Sequence, residues 1–263
     1  MTSTKIPTEH PRAESLRIRE RLIEHFLDGI VVEAGLIAHG RGEAFDYLLG
    51  ERTTKPALQA IEAAAAMLLN AKKPVISVNG NAATLAAEGI VKLAEVVNAR
   101  IEVNLFYRSR EREVAAKKLL ERAGAHEILG IGENASSRIA ELNSERRRVD
   151  PRGILAADVV IVPLEDGDRT EALVKMLKKV IAIDLNPLSR TARKATITIV
   201  DNIVRTIPKL VETAQELTKK SPRERSKILQ NFDNGINLAE SLRLIKENLS
   251  RTAERMEHAA SEE

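Results

Sequence analysis

Two short apolar runs in the second half of the chain end alike. Val180-Ile181-Ala182-Ile183 leads into Asp184-Leu185-Asn186, and Ile197-Thr198-Ile199-Val200 into Asp201-Asn202, with Ser189-Arg190-Thr191-Ala192-Arg193 between them. A carboxylate at a strand end is well placed to accept hydrogen bonds from ribose hydroxyls. Asn186 and Asn202 each bring a donor and an acceptor, which suits a sugar or an adenine edge. Arg190 and Thr191 add a forked cation and a hydroxyl for phosphate oxygens. These residue types together describe a nucleotide site. Plain backbone duty competes: Asn186-Pro187 can begin a helix and Asn202 can cap one, although neither accounts for Arg190-Thr191. Asp201 has no chemical assignment and reads as a cap or a supporting residue.

Other segments carry weaker signals. In Glu165-Asp166-Gly167-Asp168 the acids suit Mg²⁺ on a polyphosphate, because hard cations take oxygen ligands; Asp166 and Asp168 are the candidate ligands. Either acid can equally cap a helix beginning near Arg169. Asn79-Gly80-Asn81 ends another apolar run, and Asn81 is a candidate for contact with the reacting groups, against an ordinary turn. His39-Gly40-Arg41-Gly42 reads as an anion-binding loop, with backbone N–H groups exposed by glycine and charge from Arg41. Arg146-Arg147-Arg148 reads as a solvated charge run rather than an anion site.

Gly130-Ile131-Gly132-Glu133-Asn134-Ala135 has the spacing of a dinucleotide fingerprint. The residues after it start a helix poorly, and Asp150, about twenty positions on, precedes a proline instead of ending a strand. A Rossmann-type NAD(P)-dependent oxidoreductase is therefore an alternative of lower rank, and a nucleotide-binding protein without catalysis is another. The sequence has no P-loop, no metal-ligating His pair and no Ser/His/Asp set.

Composition bounds the chemistry further. The chain has 263 residues and no cysteine, which excludes disulfides and thiolate catalysis. Hydrophobic residues make up 43%, but only four Phe and two Tyr are among them, so the core must be aliphatic. With so few aromatics a base-stacking surface for nucleic acid is not expected. The net charge of +3 is a small excess of 41 basic over 38 acidic residues and identifies no partner. No window is apolar enough to span a bilayer, and MTSTKIPTEHPRAE lacks a signal-peptide core, so a cytoplasmic location is expected.

The elements that must position these residues can be read from periodicity. Strands are predicted at 74–78, 100–106, 127–131, 158–163, 179–184 and 196–201, with amphipathic helices at 83–98, 109–123 and 168–178. Short Val- and Ile-rich runs alternating with helices predict an α/β fold: a Rossmann-like, mostly parallel sheet flanked by helices. Residues 1–72 form a helical segment packed on the core, 73–205 the nucleotide-binding core, and 206–263 a helical C-terminal segment. In the last of these, Pro208 either kinks a helix from Ile203 or follows a start capped by Thr206. Leu238, Leu242, Ile245, Leu249 and Met256 suit packing on the same chain or a dimer contact, and the tail after Glu257 is expected to be disordered.

Several long blocks, taken together, resemble one family. They are GLIAHGRGEAFDYLLGERT (35–53), PVISVNGN (74–81), EVNLFYRSRER (102–112), ADVVIVPLEDGDRTEALV (157–174) and IDLNPLSRTARKATITIVDNIVR (183–205). The family is the archaeal phosphopantothenate synthetases, and the resemblance runs from about Ile6 to Leu249. It implies a cytosolic homodimer that joins 4-phosphopantoate to β-alanine through an acyl-adenylate while ATP becomes AMP and pyrophosphate. It also implies nucleotide contacts at Arg19, Arg41, Asp184-Leu185-Asn186, Arg190-Thr191 and Asn202-Ile203. Arg41 and the 79–81 loop are expected near phosphopantoate or the ATP phosphates, and Asp166 and Asp168 near Mg²⁺. The bacterial enzymes that act on unphosphorylated pantoate carry a His-x-Gly-His motif; here only His39-Gly40-Arg41-Gly42 occurs, without the second His.

Overall fold

Along each central strand, successive apolar side chains enter opposite cores. Val160, Val162, Val180 and Ala182 join one cluster, while Val159, Ile161, Ile181 and Ile183 join the other. This period of two, with both faces apolar, is what a sheet covered on both sides requires. The computed structural model describes residues 6–10, 12–164 and 166–261.

Its strands are β1 (Pro74–Val78), β2 (Arg100–Val103), β3 (Ile128–Leu129), β4 (Ser137–Arg138), β5 (Arg148–Val149), β6 (Val159–Pro163), β7 (Lys179–Ile183) and β8 (Ile197–Ile199). Six of them form one parallel sheet in the order β3-β2-β1-β6-β7-β8. All six were predicted; the antiparallel β4–β5 ribbon was not. The sheet is parallel throughout its described pairings, as expected of a Rossmann-like α/β fold. The order reverses between β1 and β6, so the carboxyl ends of those strands open a crevice where such sheets bind ligands.

The helices are α1 (Ala13–Leu27), α2 (Glu33–Leu49), α3 (Lys55–Asn70), α4 (Gly80–Val97), α5 (Arg110–Arg122), α6 (Gly167–Lys175), α7 (Arg190–Lys194), α8 (Ile203–Leu217), α9 (Pro222–Gln230) and α10 (Asn234–Ser261). One face of the sheet is covered by α3, α4, α5 and α8, the other by α6 and the segment 139–157. Thr54 caps α3 with Pro56 in its first turn, as the sequence predicts. No helix among the described residues is long and apolar enough to cross a membrane.

The departures from expectation have physical causes. Residues 33–49 are a helix, not a glycine loop. Glycine costs a helix up to about 1 kcal/mol per residue, but tertiary packing overrides it. A Cβ on Gly35 would stand 2.4 Å from the Asn81 Oδ1, and one on Gly42 3.5 Å from Leu185. Gly35 therefore lets α2 lie close against the rim of the sheet, whereas a Cβ at Gly42 would meet Leu185 in ordinary van der Waals contact. Helix α4 begins three residues before its predicted start, since Asn79 caps it through the Ala82 amide at 2.9 Å. The turn at 190–194 is a short helix, and α10 continues past Glu257 to Ser261; of the two starts the sequence left open for α8, the structure has Ile203, capped by Asn202.

Gly80 tests this packing. A Cβ there would lie 2.3 Å from the carbonyl oxygen of Ile30, a backbone atom that cannot swing aside. Gly80→Ala is expected to destabilise by about 1–3 kcal/mol. Gly40→Ala has open space around it and is expected to be neutral or slightly stabilising, by at most about 1 kcal/mol. Equal denaturation midpoints for the two variants would contradict the packing argument.

Candidate active site

Helix α2 crosses the carboxyl edge of the sheet and turns the crevice into a narrow cleft. From α2 the lining takes Ala38, His39, Arg41, Gly42 and Phe45; α4 adds Asn81 and Leu85. The strand ends contribute Leu164, Ile183, Asp184, Leu185 and Asn186, then Asp201, Asn202 and Ile203. Of the residues expected to touch nucleotide or substrate, Arg41, Asn81, Asp184, Leu185, Asn186, Asn202 and Ile203 therefore share one cleft. A second hollow continues it through Ala38, Asn81 and Leu164 towards Arg112, Arg146 and Asp166.

Each side chain is held by its own neighbours. The Asp184 carboxylate accepts the Asn186 amide N–H at 2.9 Å and the Ser189 hydroxyl at 2.5 Å. Ser189 in turn caps α7 through Ala192 N at 2.9 Å. Asp184 thus shapes the whole loop that presents Asn186. Asn202 donates from Nδ2 to Asp46 Oδ2 at 3.0 Å, and Arg205 bridges Asp46 and Asp201 at 2.6 Å each. Asp201 also accepts from the Thr53 hydroxyl at 2.7 Å, which gives this buried acid the supporting role the sequence allowed it. Asn81 donates to the Gly35 carbonyl at 2.8 Å and anchors α2. His39 lines the same cleft, and burial holds its imidazole below the ordinary pKa.

Some expected contacts are otherwise engaged. Arg41 sits inside α2, where backbone N–H groups serve the helix, so 39–42 is no anion loop; its contribution is the side chain. Thr191 is fully buried, and its hydroxyl accepts the Asp166 amide N–H at 2.8 Å. Arg190 pairs with Asp168, and Arg19 with Glu43 at 2.6 Å; neither is among the residues lining the cleft. The fingerprint glycines Gly130 and Gly132 lie by the edge strand β3 and lead into a single 3₁₀ turn, not the helix a dinucleotide fold needs.

The metal expectation needs correction. Asp166 caps α6 and receives Arg146 Nε at 2.7 Å and Arg169 Nε at 3.1 Å. Asp168 points its carboxylate at Arg190. A cation on these two acids would have to displace three guanidiniums. Glu165 lies outside the described residues, among which no group of three or more metal-ligating side chains occurs. Asp166 and Asp168 do not fit a Mg²⁺ site.

Asp166 instead belongs to a buried arginine cluster that the sequence did not reveal. Arg169 is 1% exposed and donates to Ser77 Oγ at 2.7 Å and Asn104 Oδ1 at 2.8 Å. Arg146, read as solvated, is buried and donates to the Asn104 carbonyl at 2.9 Å. Burial, and then the repulsion of Arg146, lower the Arg169 pKa to about 10. Nearby, burial pushes the Glu102 carboxyl up to about 7, against the hydrogen bonds it accepts from Ile154 N and Asp150 N.

Comparison with known proteins identifies the framework. The sequence profile of the phosphopantothenate/pantothenate synthetase family matches residues 56–248. The chain belongs to that family. It is 54% identical over 250 residues to the 4-phosphopantoate–β-alanine ligase of Thermococcus kodakarensis, covering 95% of each chain. Against the enzyme of the same name from Thermococcus onnurineus it is 54% identical over 251 residues, again 95% of each. The Methanosarcina mazei enzyme so named is 51% identical over 250 residues, covering 95% of this chain and 98% of that one. The family membership expected from the five sequence blocks is thus borne out.

Proposed function

We propose that the chain is an ATP-dependent ligase that condenses 4-phosphopantoate with β-alanine to 4'-phosphopantothenate, releasing AMP and pyrophosphate, in coenzyme A biosynthesis. The relatives' shared name supports the substrates. The observation that carries the ATP reading is the single cleft lined by Arg41, Asn81, Asp184-Leu185-Asn186 and Asn202-Ile203. A carboxylate resists attack by an amine, so the acid is first activated as an acyl-adenylate; the neutral amine of β-alanine then attacks the acyl carbon and AMP leaves. The chain's part is alignment and charge neutralisation. Asp184 and Asn186 hold the nucleoside, Asn202 closes from the next strand, and Arg41 meets the phosphates. Mg²⁺ in this reading arrives as the counter-ion of the nucleotide, not on Asp166 and Asp168. The protein acts in the cytoplasm as a homodimer, for which exposed Ile23, Leu27, Leu249 and Met256 supply apolar surface.

The deciding assay is β-alanine-dependent formation of AMP and pyrophosphate, with 4-phosphopantoate compared with pantoate. No product with either acid would sink the ligase reading. Arg41→Ala is expected to lower kcat/KM by about 10²–10³-fold with an unchanged melting temperature, the scale of losing one charged contact to a transition state. Unaltered kinetics would remove Arg41 from the site.

A further inference from the structure

We propose that the hollow between α4 and α5 is the seat of the acid substrate's phosphate monoester, with Arg112 and Arg146 as its cationic partners. The proposal rests on the ligase reading and assigns the end of the cleft that the nucleotide leaves free. The hollow is lined by Asn79, Gly80, Asn81, Arg112, Arg146 and Asp166, among others. Because it shares Ala38, Asn81 and Leu164 with the nucleotide end, two ligands lying in the two halves would meet near Asn81.

The charge inventory points to an anion. Among the described residues, Asp166 is the one carboxylate lining this hollow, and it already answers Arg146 and Arg169. The hydrogen bonds of Arg112 end on neutral carbonyls: Gly29 O at 3.2 Å, Ile30 O at 2.8 Å and Tyr107 O. Two guanidiniums, Arg112 and Arg146, thus line this partly desolvated hollow with one carboxylate, and that carboxylate is shared with the buried Arg169 behind it. Burial, and then repulsion from Arg146, lower the Arg112 pKa. A phosphate monoester carries close to two negative charges at neutral pH and accepts forked hydrogen bonds from arginine. It would relieve this repulsion more fully than a monoanionic carboxylate. The α4 N-terminus, with Gly80 and Asn81 in its first turn, adds partial positive charge to the same wall. The site would explain how the enzyme distinguishes a phosphorylated acid from its free alcohol.

The phosphates of ATP share this chemistry, so the test separates the two sources. Arg112→Gln is expected to raise KM for 4-phosphopantoate about 10- to 100-fold, the range for a charged hydrogen bond, with KM for ATP within about twofold. Arg112→Lys, which keeps the charge but not the fork, should recover part of the loss. Inorganic phosphate should compete with 4-phosphopantoate in the wild type, and this inhibition should weaken in Arg112→Gln. A rise in KM for ATP instead, or an unchanged KM for both, would overturn the assignment. Phosphate-31 line broadening of inorganic phosphate with each variant needs no turnover, so it tests the anion site even if the ligase reading fails. Equal broadening with folded wild type and folded Arg112→Gln would also overturn it.

Discussion

Asp166→Ala is expected to destabilise the protein by about 3–5 kcal/mol, the cost of leaving buried charge unpaired. For a chain of this size that lowers the melting temperature by roughly 10 °C. The reason is local and specific. Arg146 and Arg169 are both buried, and Asp166 is the carboxylate that contacts each, at 2.7 Å and 3.1 Å. The same side chain accepts the Arg169 amide N–H as the cap of α6, so its removal also loosens that helix. Asp168→Ala is the natural control: its side chain is 76% exposed, its partner Arg190 is 52% exposed, and surface pairs of this kind contribute about 0–1 kcal/mol. Scanning calorimetry of the two variants separates a structural role from a metal role. Equal melting temperatures together with a raised Mg²⁺ requirement in both would restore the metal reading and refute the arginine cluster as Asp166's function.

Asp184→Ala is expected to raise KM for ATP by about 10²-fold, since displacing a positioning group by about 1 Å costs that much. KM for β-alanine should change far less. Asp184 is 6% exposed and joins the Asn186 amide to the Ser189 hydroxyl that caps α7. Its loss therefore frees both the loop that presents Asn186 and the short helix behind it. Steady-state kinetics with each substrate varied in turn provides the check. An increase confined to β-alanine would mean that the nucleotide does not bind against β7.

Much of this was legible in the residues. The six parallel strands were visible as short Val- and Ile-rich runs, because a strand buried on both faces is apolar at most positions; the buried exceptions Ser77, Glu102 and Thr198 are each hydrogen-bonded. The polar residues that follow them were visible as a rim, and Asp184, Asn186 and Asn202 do meet there. Helix α2 was not visible. Three glycines in 35–42 imitate a loop, and only the contact with Asn81 shows that Gly35 serves close approach. Arg146 was hidden for a similar reason: in an Arg-Arg-Arg run nothing local shows which guanidinium is buried. Asp46 gave no signal at all, although it holds Asn202 from 156 residues away.

By itself, the sequence determined the alternation of strands and helices, the aliphatic double core, the polar chemistry along the carboxyl edge of the sheet and, through its long blocks, the family. Those features depend on local pattern and on residue identity, both present in one dimension. Only the tertiary structure decided how each polar group is used. Thr191 and Asp166 bond to backbone and arginine, while Arg41, Asn81 and Asn186 line the cleft. A polar side chain takes whichever partner desolvation brings within reach, and those partners are set by packing across the sheet instead of by neighbours in the chain.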